Sequence, residues 1–406
     1  MQLVYADNNA TTQPAPEVVE AMRPYLSEVF FNPSSMYEAA RKASEAVGKA
    51  RDVVARFVGA DAKEIVFTSC ATESNNAAIA GVAKAVPARR HIVTTAVEHP
   101  AVLEMCREMA RAGWEVDFLP VRRDGSLDVD AYVRALRPDT LLVTVMHANN
   151  ETGVIFPIAE LARIAKATDP RIVFHTDATQ TAGKLPIDLA GEFREVDLLS
   201  FSGHKLHGPK GIGALYVRRG TPWRPWLIGG HQEGARRAGT ENVAFMVAMA
   251  KAAELAAAHL SKDEARIGRM RDRLQAALQE RVPFVEVNGL GAPRLPNTLN
   301  IACHYIEGEG ILYQLSDAGI CASSGSACTS GSLEPSHVLR AMQVPFTAIH
   351  GSVRFSLSRY TTDADIDRII EVFPRIAAAL RALSPYWDAA RNAPRTGSAP
   401  APARGK

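Results

Sequence analysis

The chain has 406 residues, and its apolar share of 47% and charged share of 22% are ordinary for a soluble globular protein. Its formal net charge of +2 gives no reason to expect a nucleic-acid partner or a membrane surface. That length exceeds what a single hydrophobic core normally holds, so we expect two domains.

The N-terminal stretch MQLVYADNNATTQP lacks the basic run and apolar segment of a signal peptide. The most apolar window, AFMVAMAKAAELAAAHL, is interrupted by Lys251 and Glu254, which argues against a membrane span. Five cysteines form no CxxC pair, which argues against a disulfide framework or a zinc site. These features together favour a reducing cytoplasm.

From about residue 64 to residue 219, β-branched and apolar runs alternate with amphipathic helical patterns. In chain order the runs are EIVFTS, HIVTTAV, EVDFLPV, TLLVTVMHAN, RIVFHTDA, VDLLSFSG and IGALYVRR. Strand and helix in alternation predict a mostly parallel sheet with helices on both faces. In such sheets the ligands bind at the carboxyl ends of the strands.

A long helical pattern without proline follows, from about Val243 to Glu280. After it, TLNIACHY and VRFSLS are typical of strands, and helical patterns recur near 308–318, 335–342 and 363–384. The predicted domains are a large domain of residues 15–258, a small α/β domain of residues 1–14 and 259–388, and a disordered, Pro- and Ala-rich tail of residues 389–406.

Two neighbouring strand ends carry the residues that suggest chemistry. One reads SFSGHKLHGPKG and places Lys205 in a Gly-bounded turn, and the strand before it ends in FHTDATQ, which contains Asp177 and Gln180. A lysine for a Schiff base and an acid facing a pyridine nitrogen are the two groups that pyridoxal phosphate requires. By itself Lys205 is more often a solvated loop lysine, so the pairing with Asp177 carries the interpretation.

Three further positions have both a functional and a structural interpretation. Thr72 opens a helix after EIVFTS, where free N–H groups bind anions, although a plain N-cap threonine fits equally well. His99, in VEHPAV, could stack on a pyridine ring or serve as a hydrogen-bonded structural histidine. His204 and His207 could suggest a metal, but no Cys or carboxylate cluster completes such a site.

Cys328 lies in the stretch ASSGSACTSGS, where no large apolar side chain surrounds the thiol. A cysteine is usually a small core hydrophobe, so this composition is unusual. Small residues of this kind permit a loop to move, which a packed helix could not do. The other cysteines, at positions 70, 106, 303 and 321, lie in strand or helix patterns and are interpreted as packing residues.

Seven motifs together resemble the cysteine desulfurases over residues 3–388: ATES, EHPAV, ANNETG, DATQ, SFSGHKLHGPKGIGALYVRRG, RRAGTEN and SSGSACTSGSLEPSHVLRAM. The resemblance implies a fold-type I pyridoxal-phosphate enzyme, of the aspartate aminotransferase type, that converts L-cysteine to L-alanine. It is strongest to the form associated with nitrogen fixation, with the housekeeping iron–sulfur form second. It also implies a cytoplasmic homodimer that passes sulfur to an iron–sulfur scaffold protein.

The resemblance also implies catalytic roles for three residues. Lys205 holds the cofactor and moves protons at the substrate Cα, and His99 stacks on the ring and exchanges protons with the reacting sulfur. Cys328 attacks that sulfur and carries it as a persulfide. No resident metal is implied, although Cys328 could ligate an iron–sulfur cluster transiently.

The implied binding residues form two sets. The cofactor set is Ala71, Thr72, His99, Asn150, Asp177, Gln180, Ser202, Gly203, His204, Lys205 and, from the second subunit of the dimer, Thr240. The substrate set holds the cysteine carboxylate and consists of Arg354, Asn150 and Asn32. A guanidinium suits this task because its fork binds a carboxylate through two parallel hydrogen bonds.

Two other functions remain open from the sequence. Another pyridoxal-phosphate enzyme of the same fold, such as an aminotransferase or a selenocysteine lyase, would share Lys205 and Asp177, and the Cys328 stretch separates these from a desulfurase. The second is a catalytically silent scaffold that docks iron–sulfur assembly proteins. The intact set of Lys205, His99, Cys328 and Arg354 argues against that scaffold.

Overall fold

The computed structural model describes residues 3–324, 335–388, 390–391 and 393–395. The strands are β1 (Val4–Tyr5), β2 (Ile65–Thr68), β3 (His91–Thr95), β4 (Glu115–Leu119), β5 (Thr140–Thr144), β6 (Val173–Asp177), β7 (Leu198–Ser202), β8 (Gly213–Val217), β9 (Val285–Asn288), β10 (Thr298–Cys303), β11 (Ile320–Cys321), β12 (Ser352–Ser356), β13 (Trp387–Asp388) and β14 (Ala393–Pro394). The helices are α1 (Pro16–Met22), α2 (Pro24–Ser27), α3 (Glu38–Val58), α4 (Ala71–Ala85), α5 (Pro100–Arg111), α6 (Val129–Ala135), α7 (Ile158–Thr168), α8 (Gln232–Ala235), α9 (Val243–Arg281), α10 (Gly308–Asp317), α11 (His337–Ala341), α12 (Phe346–Ile349) and α13 (Asp363–Leu383).

A seven-stranded sheet with the order β2-β8-β7-β6-β5-β3-β4 forms the centre of the fold. Its strands are the seven runs predicted from the sequence, and the prediction of a mostly parallel sheet is confirmed. Only β8 runs against its neighbours, β2 and β7. Residues 203–212 join β7 to β8, and that connection is too short for the crossover that a parallel pair requires.

The central strands are buried on both faces, which explains their continuous apolar character. Every residue of β3, β5, β6 and β7 is buried. On one face α4 and α5 pack against the sheet, and on the other face α3, α7 and the first half of α9 do so. Because helices cover both faces, other segments of the chain contact the sheet mainly at the ends of its strands.

A second core lies beyond this sheet. The antiparallel strands β9, β10 and β12 pack with α10, α13 and the second half of α9. By length and composition α9 could cross a membrane, but half of its most apolar window is buried within the fold. Because α9 contributes buried side chains to both cores, packing accounts for its apolar character.

The predicted disordered tail, residues 389–406, is wrong at its beginning. Ala393–Pro394 pairs with Trp387–Asp388 as a short antiparallel ladder. Arg395 strengthens the ladder, because its backbone N–H donates to Tyr386 O at 3.0 Å. Its Pro- and Ala-rich composition gave no strand signal, since the pairing depends on a partner segment rather than on local propensity.

Trp387 anchors this ladder through buried contacts, and its substitution tests that role. Its side chain is 3% exposed, and its ring lies 5.2 Å from the ring of Phe284 and 5.1 Å from the Arg381 guanidinium carbon. Because truncating a buried aromatic leaves a cavity, we expect Trp387→Ala to lower the free energy of unfolding by about 3–5 kcal/mol in urea titrations. The matched control Tyr313→Ala removes a ring that is 72% exposed and should change it by less than about 0.5 kcal/mol. Equal losses in the two variants would contradict the anchoring role.

Candidate active site

A cavity of about 250 Å³ lies at the carboxyl ends of the central strands, where β6 and β7 end. It is lined by residues that follow five different strands, together with Ala10 from the N-terminal segment. The predicted site residues that it brings together are Ala71, Thr72, His99, Asn150, Asp177, Gln180, His204 and Lys205. Residues more than a hundred positions apart in the sequence thus converge because their strands are neighbours in the sheet.

Lys205 reaches the cavity from a tight turn directly after β7. The turn is a 3-10 helix, Gly203–Lys205, and a Cβ at Gly203 would lie 2.8 Å from Ile212 Cγ2, so only glycine fits there. The Lys205 Nζ donates to the backbone carbonyls of Asn9 and Ala10, the second at 2.8 Å. The N-terminal segment therefore holds the amine at the cavity wall, a contact that the sequence did not reveal.

Asp177 is the last residue of β6, and two neutral donors orient its buried carboxylate. Asn75 Nδ2 donates to Oδ2 at 2.6 Å, and the Thr179 N–H donates to Oδ1 at 2.9 Å. Asn75 Oδ1 and Thr179 Oγ1 are themselves buried without a hydrogen-bond partner among the described residues, and both residues line the cavity. Since buried polar groups are normally bonded, these two atoms fit a polar ligand in the cavity.

The N-terminus of α4 borders the same cavity. The helix begins at Ala71, one residue before the predicted start, and the side chain of its N-cap residue Cys70 does not cap the helix N–H groups. The first backbone N–H groups of a helix lack acceptors within it, and the helix dipole adds positive potential there. Glu73 is held aside, because its carboxylate pairs with Arg237 at 2.8 Å. The helix end therefore suits an anionic group such as a phosphate.

His99 and His204 present neutral imidazoles to the cavity. Burial is the main cause that lowers the pKa of His99, with Lys205 adding to it and Asp177 opposing it. Its Nδ1 accepts from the Ala101 N–H at 3.1 Å, which leaves the ring proton on Nε2. Burial likewise lowers the pKa of His204 to about 4, and its Nδ1 lies 3.1 Å from Thr11 Oγ1.

Arg354 lies on β12, buried just behind the cavity wall rather than in it. Its Nη2 pairs with Asp7 Oδ1 at 2.8 Å, and its Nη1 donates to the Asn150 carbonyl at 2.9 Å. Its Nε is buried and has no partner among the described residues. The backbone of Arg354 also pairs with Ser323, close to the last described residue before the segment 325–334.

The structure does not bring every predicted residue to the cavity. Asn32 is exposed and does not line the cavity, and its Oδ1 accepts from the Ser34 N–H of its own turn at 2.9 Å. Ser202 and Gly203 lie beneath the lining, where Ser202 Oγ donates to Ile212 O at 3.4 Å. Thr240 is exposed on the surface of the single chain. Cys328 falls outside the described residues.

Of the four cysteines interpreted from the sequence as packing residues, one lies elsewhere in the structure. Cys106 and Cys303 are buried, and burial raises the pKa of each thiol to about 12. Cys321 is half-buried, and burial also raises its pKa. Cys70, however, lines the cavity at the helix N-terminus, so the assignment of this thiol to packing is wrong.

Sequence reasoning missed Asn75, Thr179, Asn9 and Ala10. The signal for Asn75 was present, because it follows Ala71 by one helical turn and therefore lies on the same face of α4. The contribution of Asn9 and Ala10 had no local signal, because it requires the N-terminus to fold back across the strand ends.

Comparison with known proteins gives consistent relatives. The family described as aminotransferase class-V matches residues 4–369. A protein named cysteine desulfurase from Trichormus azollae is 55% identical over 386 residues, which cover 95% of this chain and 96% of the relative. Another, named cysteine desulfurase NifS, from Azotobacter vinelandii, is 53% identical over 386 residues and covers 95% of both chains. A solved structure titled NIFS-like protein superimposes with a TM-score of 0.87 at 37% identity, covering 93% of this chain and 100% of its own.

Proposed function

This chain belongs to the class V aminotransferase family and, within it, to the cysteine desulfurases, and we propose that its cavity holds pyridoxal phosphate at Lys205. In this proposal the enzyme is a sulfurtransferase that converts L-cysteine to L-alanine and leaves the sulfur on Cys328. The observation that carries it is the convergence of Lys205 and Asp177 in one cavity with two unpartnered buried polar atoms.

The described residues fit each part of the cofactor. Asp177 would pair with the pyridine nitrogen, because Asn75 and Thr179 already hold its carboxylate in place. His99 would stack on the ring, and Gln180 and Asn150, which also line the cavity, would face the ring hydroxyl. When bound, pyridoxal phosphate withdraws electrons from the substrate Cα.

The phosphate would occupy the N-terminus of α4. The helix dipole and the free N–H groups there favour an anion, as described above. The residues proposed to contact it are Ala71, Thr72, Ser202, Gly203, His204 and, across a dimer, Thr240 of the partner subunit.

The chain's own residues supply the proton transfers. Lys205 Nζ, held by two backbone carbonyls, would remove the substrate Cα proton and return it later. His99 would exchange a proton with the substrate sulfur through Nε2, since Nδ1 is engaged by the Ala101 N–H. Cys328 thiolate would then attack that sulfur, so that an S–S bond forms while the substrate Cβ–S bond breaks. Protonation of Cβ gives L-alanine and leaves a persulfide on Cys328.

Arg354 is proposed to bind the substrate carboxylate, with help from Asn150 and Asn32. The unpartnered Nε and the contact with the Asn150 carbonyl support this role, because the guanidinium retains donors beside the cavity. Asp7 would share the guanidinium with the substrate. The role of Asn32 rests on the family resemblance alone, since this residue is exposed and does not line the cavity.

The proposed product leaves as sulfur bound to protein, so the enzyme requires an acceptor. We propose an iron–sulfur scaffold protein in the cytoplasm, with nitrogen fixation as the process served. The similarity to a relative named NifS supports that role. We also propose that the Cys328 thiolate, once its sulfur has been passed on, ligates an iron–sulfur cluster transiently.

A homodimer is the proposed assembly. Thr240 is exposed in the single chain, and an apolar patch of the exposed side chains Trp226, Leu227 and Ile228 lies on the same chain segment. We expect sedimentation equilibrium to give twice the chain mass, and Thr240→Ala to release pyridoxal phosphate more readily than wild type. A fully active monomer at the assay concentration would contradict shared active sites.

Lys205→Ala tests the cofactor assignment. We expect the purified wild type to absorb visible light and this variant to lose both that band and cysteine turnover, because no other amine would attach the cofactor. The control is Lys210→Ala, which removes an exposed lysine from the same connection and should keep both properties. Normal turnover by Lys205→Ala would refute the assignment.

Cys328→Ala separates sulfur transfer from the earlier steps. We expect this variant to bind pyridoxal phosphate and change its spectrum with cysteine, yet to release alanine more than about a hundredfold more slowly, because no thiol receives the sulfur. Cysteine sulfinate, whose sulfur group leaves without a thiol, should still be processed. With labelled cysteine, the wild type should carry one reducible labelled sulfur on Cys328.

The two other thiols near the site provide matched controls for that experiment. Cys70→Ala removes the thiol that lines the cavity, and Cys321→Ala removes the half-buried one. We expect both variants to release alanine at close to the wild-type rate. Label on Cys70 or Cys321 in place of Cys328 would show that the wrong nucleophile was chosen, and keto-acid formation without alanine would identify an aminotransferase instead.

A further inference from the structure

A second lysine, Lys184, lies behind Lys205. Both lysines line a small cavity of about 40 Å³, separate from the candidate active site, on the side where α9 packs. Lys184 follows Gly183, whose φ of 77° and Cβ distance of 3.1 Å from Ala256 Cβ fit a glycine turn against that helix. The turn directs the chain after β6 so that Lys184 approaches the same strand ends that carry Asp177.

Hydrogen bonds connect Lys184 to the active site through one side chain. Lys184 Nζ donates to the Gln180 backbone carbonyl at 2.9 Å and to Gln180 Oε1 at 3.4 Å. Gln180 Nε2 donates in turn to the Asn9 carbonyl at 3.1 Å, the same carbonyl that accepts from Lys205 Nζ. The two amines are therefore linked through Gln180 and a single carbonyl oxygen.

The amine of Lys184 donates its hydrogen bonds to Gln180 rather than to an acid. Gln180 is an uncharged partner, so these hydrogen bonds do not neutralise the amine. The acids that line its cavity are Asp263 and Glu264 of α9, and Asp263 pairs instead with Arg359 at 3.4 Å. His207 also lines the cavity, with its Nδ1 2.8 Å from the Gln13 carbonyl. Burial is the main cause that lowers the pKa of Lys184 to about 7, and the like charges of Lys205 and Arg354 contribute to the same shift.

We infer that Lys184 is a positioning residue for Lys205, which fixes the amide of Gln180 and places a second positive charge beside the cofactor lysine. The inference rests on the proposed function, because it assigns a role toward bound pyridoxal phosphate. With Oε1 turned to Lys184 and Nε2 turned to Asn9, Gln180 has one amide orientation.

The charge of Lys184 acts on the proton of Lys205. A like charge disfavours the protonated form of an amine, so Lys184 favours the neutral Lys205 that accepts a proton from substrate. This effect is present below about pH 7, where Lys184 carries its charge, and it fades as the pH rises above that value.

Lys184→Met in the full-length chain tests the inference by spectroscopy and binding. We expect the pH midpoint at which the visible band of bound pyridoxal phosphate titrates to rise by up to about one unit, since the like charge that Lys184 carries below about pH 7 is gone. We also expect the dissociation constant for pyridoxal phosphate to rise about five- to tenfold, because Gln180 loses its orientation. Lys184→Arg keeps a positive charge at this position, so its pH midpoint should lie close to the wild-type value.

Lys166→Met is the matched control. Lys166 is also a half-buried lysine with a bond to a backbone carbonyl, Ile172 O at 2.6 Å, but it pairs with Asp197 away from the candidate cavity. We expect this variant to keep the wild-type midpoint and dissociation constant. Lys184→Gln replaces Lys184→Met if the latter does not fold, with the same expectations for the midpoint.

The outcomes separate this inference from the proposed function. If wild type binds pyridoxal phosphate and the Lys184 variants keep its midpoint and dissociation constant, the inference alone is overturned. An equal shift in Lys166→Met would also overturn it, because the effect would then not be specific to this position. A wild type that takes up no pyridoxal phosphate overturns the proposed function and the inference together.

Discussion

The fold and the candidate site both depend on the hydrogen bonds of Asn9. Its backbone N–H donates to Ser356 Oγ at 2.9 Å, and its Oδ1 accepts from Asn297 Nδ2 at 3.0 Å, so the residue is tied to the second core. Its carbonyl accepts from Gln180 and Lys205, so the same residue is tied to the ends of the central strands. Every polar group of this buried residue is used, and loss of any one of these bonds would leave a buried polar atom unpaired.

That arrangement explains how a cavity can exist between two cores. The central sheet places Asp177, Lys205 and the N-terminus of α4 at fixed positions, because its parallel strands end at a common edge. The second core supplies Arg354, which reaches the cavity wall through the Asn150 carbonyl. The N-terminal segment crosses between them and closes the wall with backbone carbonyls. The chemistry of the site is thus built from side chains of one core and restraints imposed by the other.

Local sequence patterns were sufficient to predict the strands and the first site residues. They were insufficient to predict residues whose contacts are distant in the sequence. All seven central strands were predicted, because each is a short run rich in apolar and β-branched residues that alternates with helical patterns. Asp177 and Lys205 were found because their residue types are unusual at strand ends. Asn9 could not be recognised, because its partners are more than a hundred residues away. For the same reason Ala393–Pro394, the partner strand of Trp387–Asp388, was assigned to a disordered tail.

The geometry of helix α9 fixes the number of residues between the two cores. Its first half is buried in one core and its second half in the other, while no residue from position 257 to position 266 is buried. An α-helix turns about 100° and rises about 1.5 Å with each residue. One residue inserted in that exposed stretch would therefore rotate the second core by about a quarter turn and separate Arg354 from Asn150. This stretch adds no buried side chain to either core, yet its residue count is as constrained as the identity of a catalytic side chain.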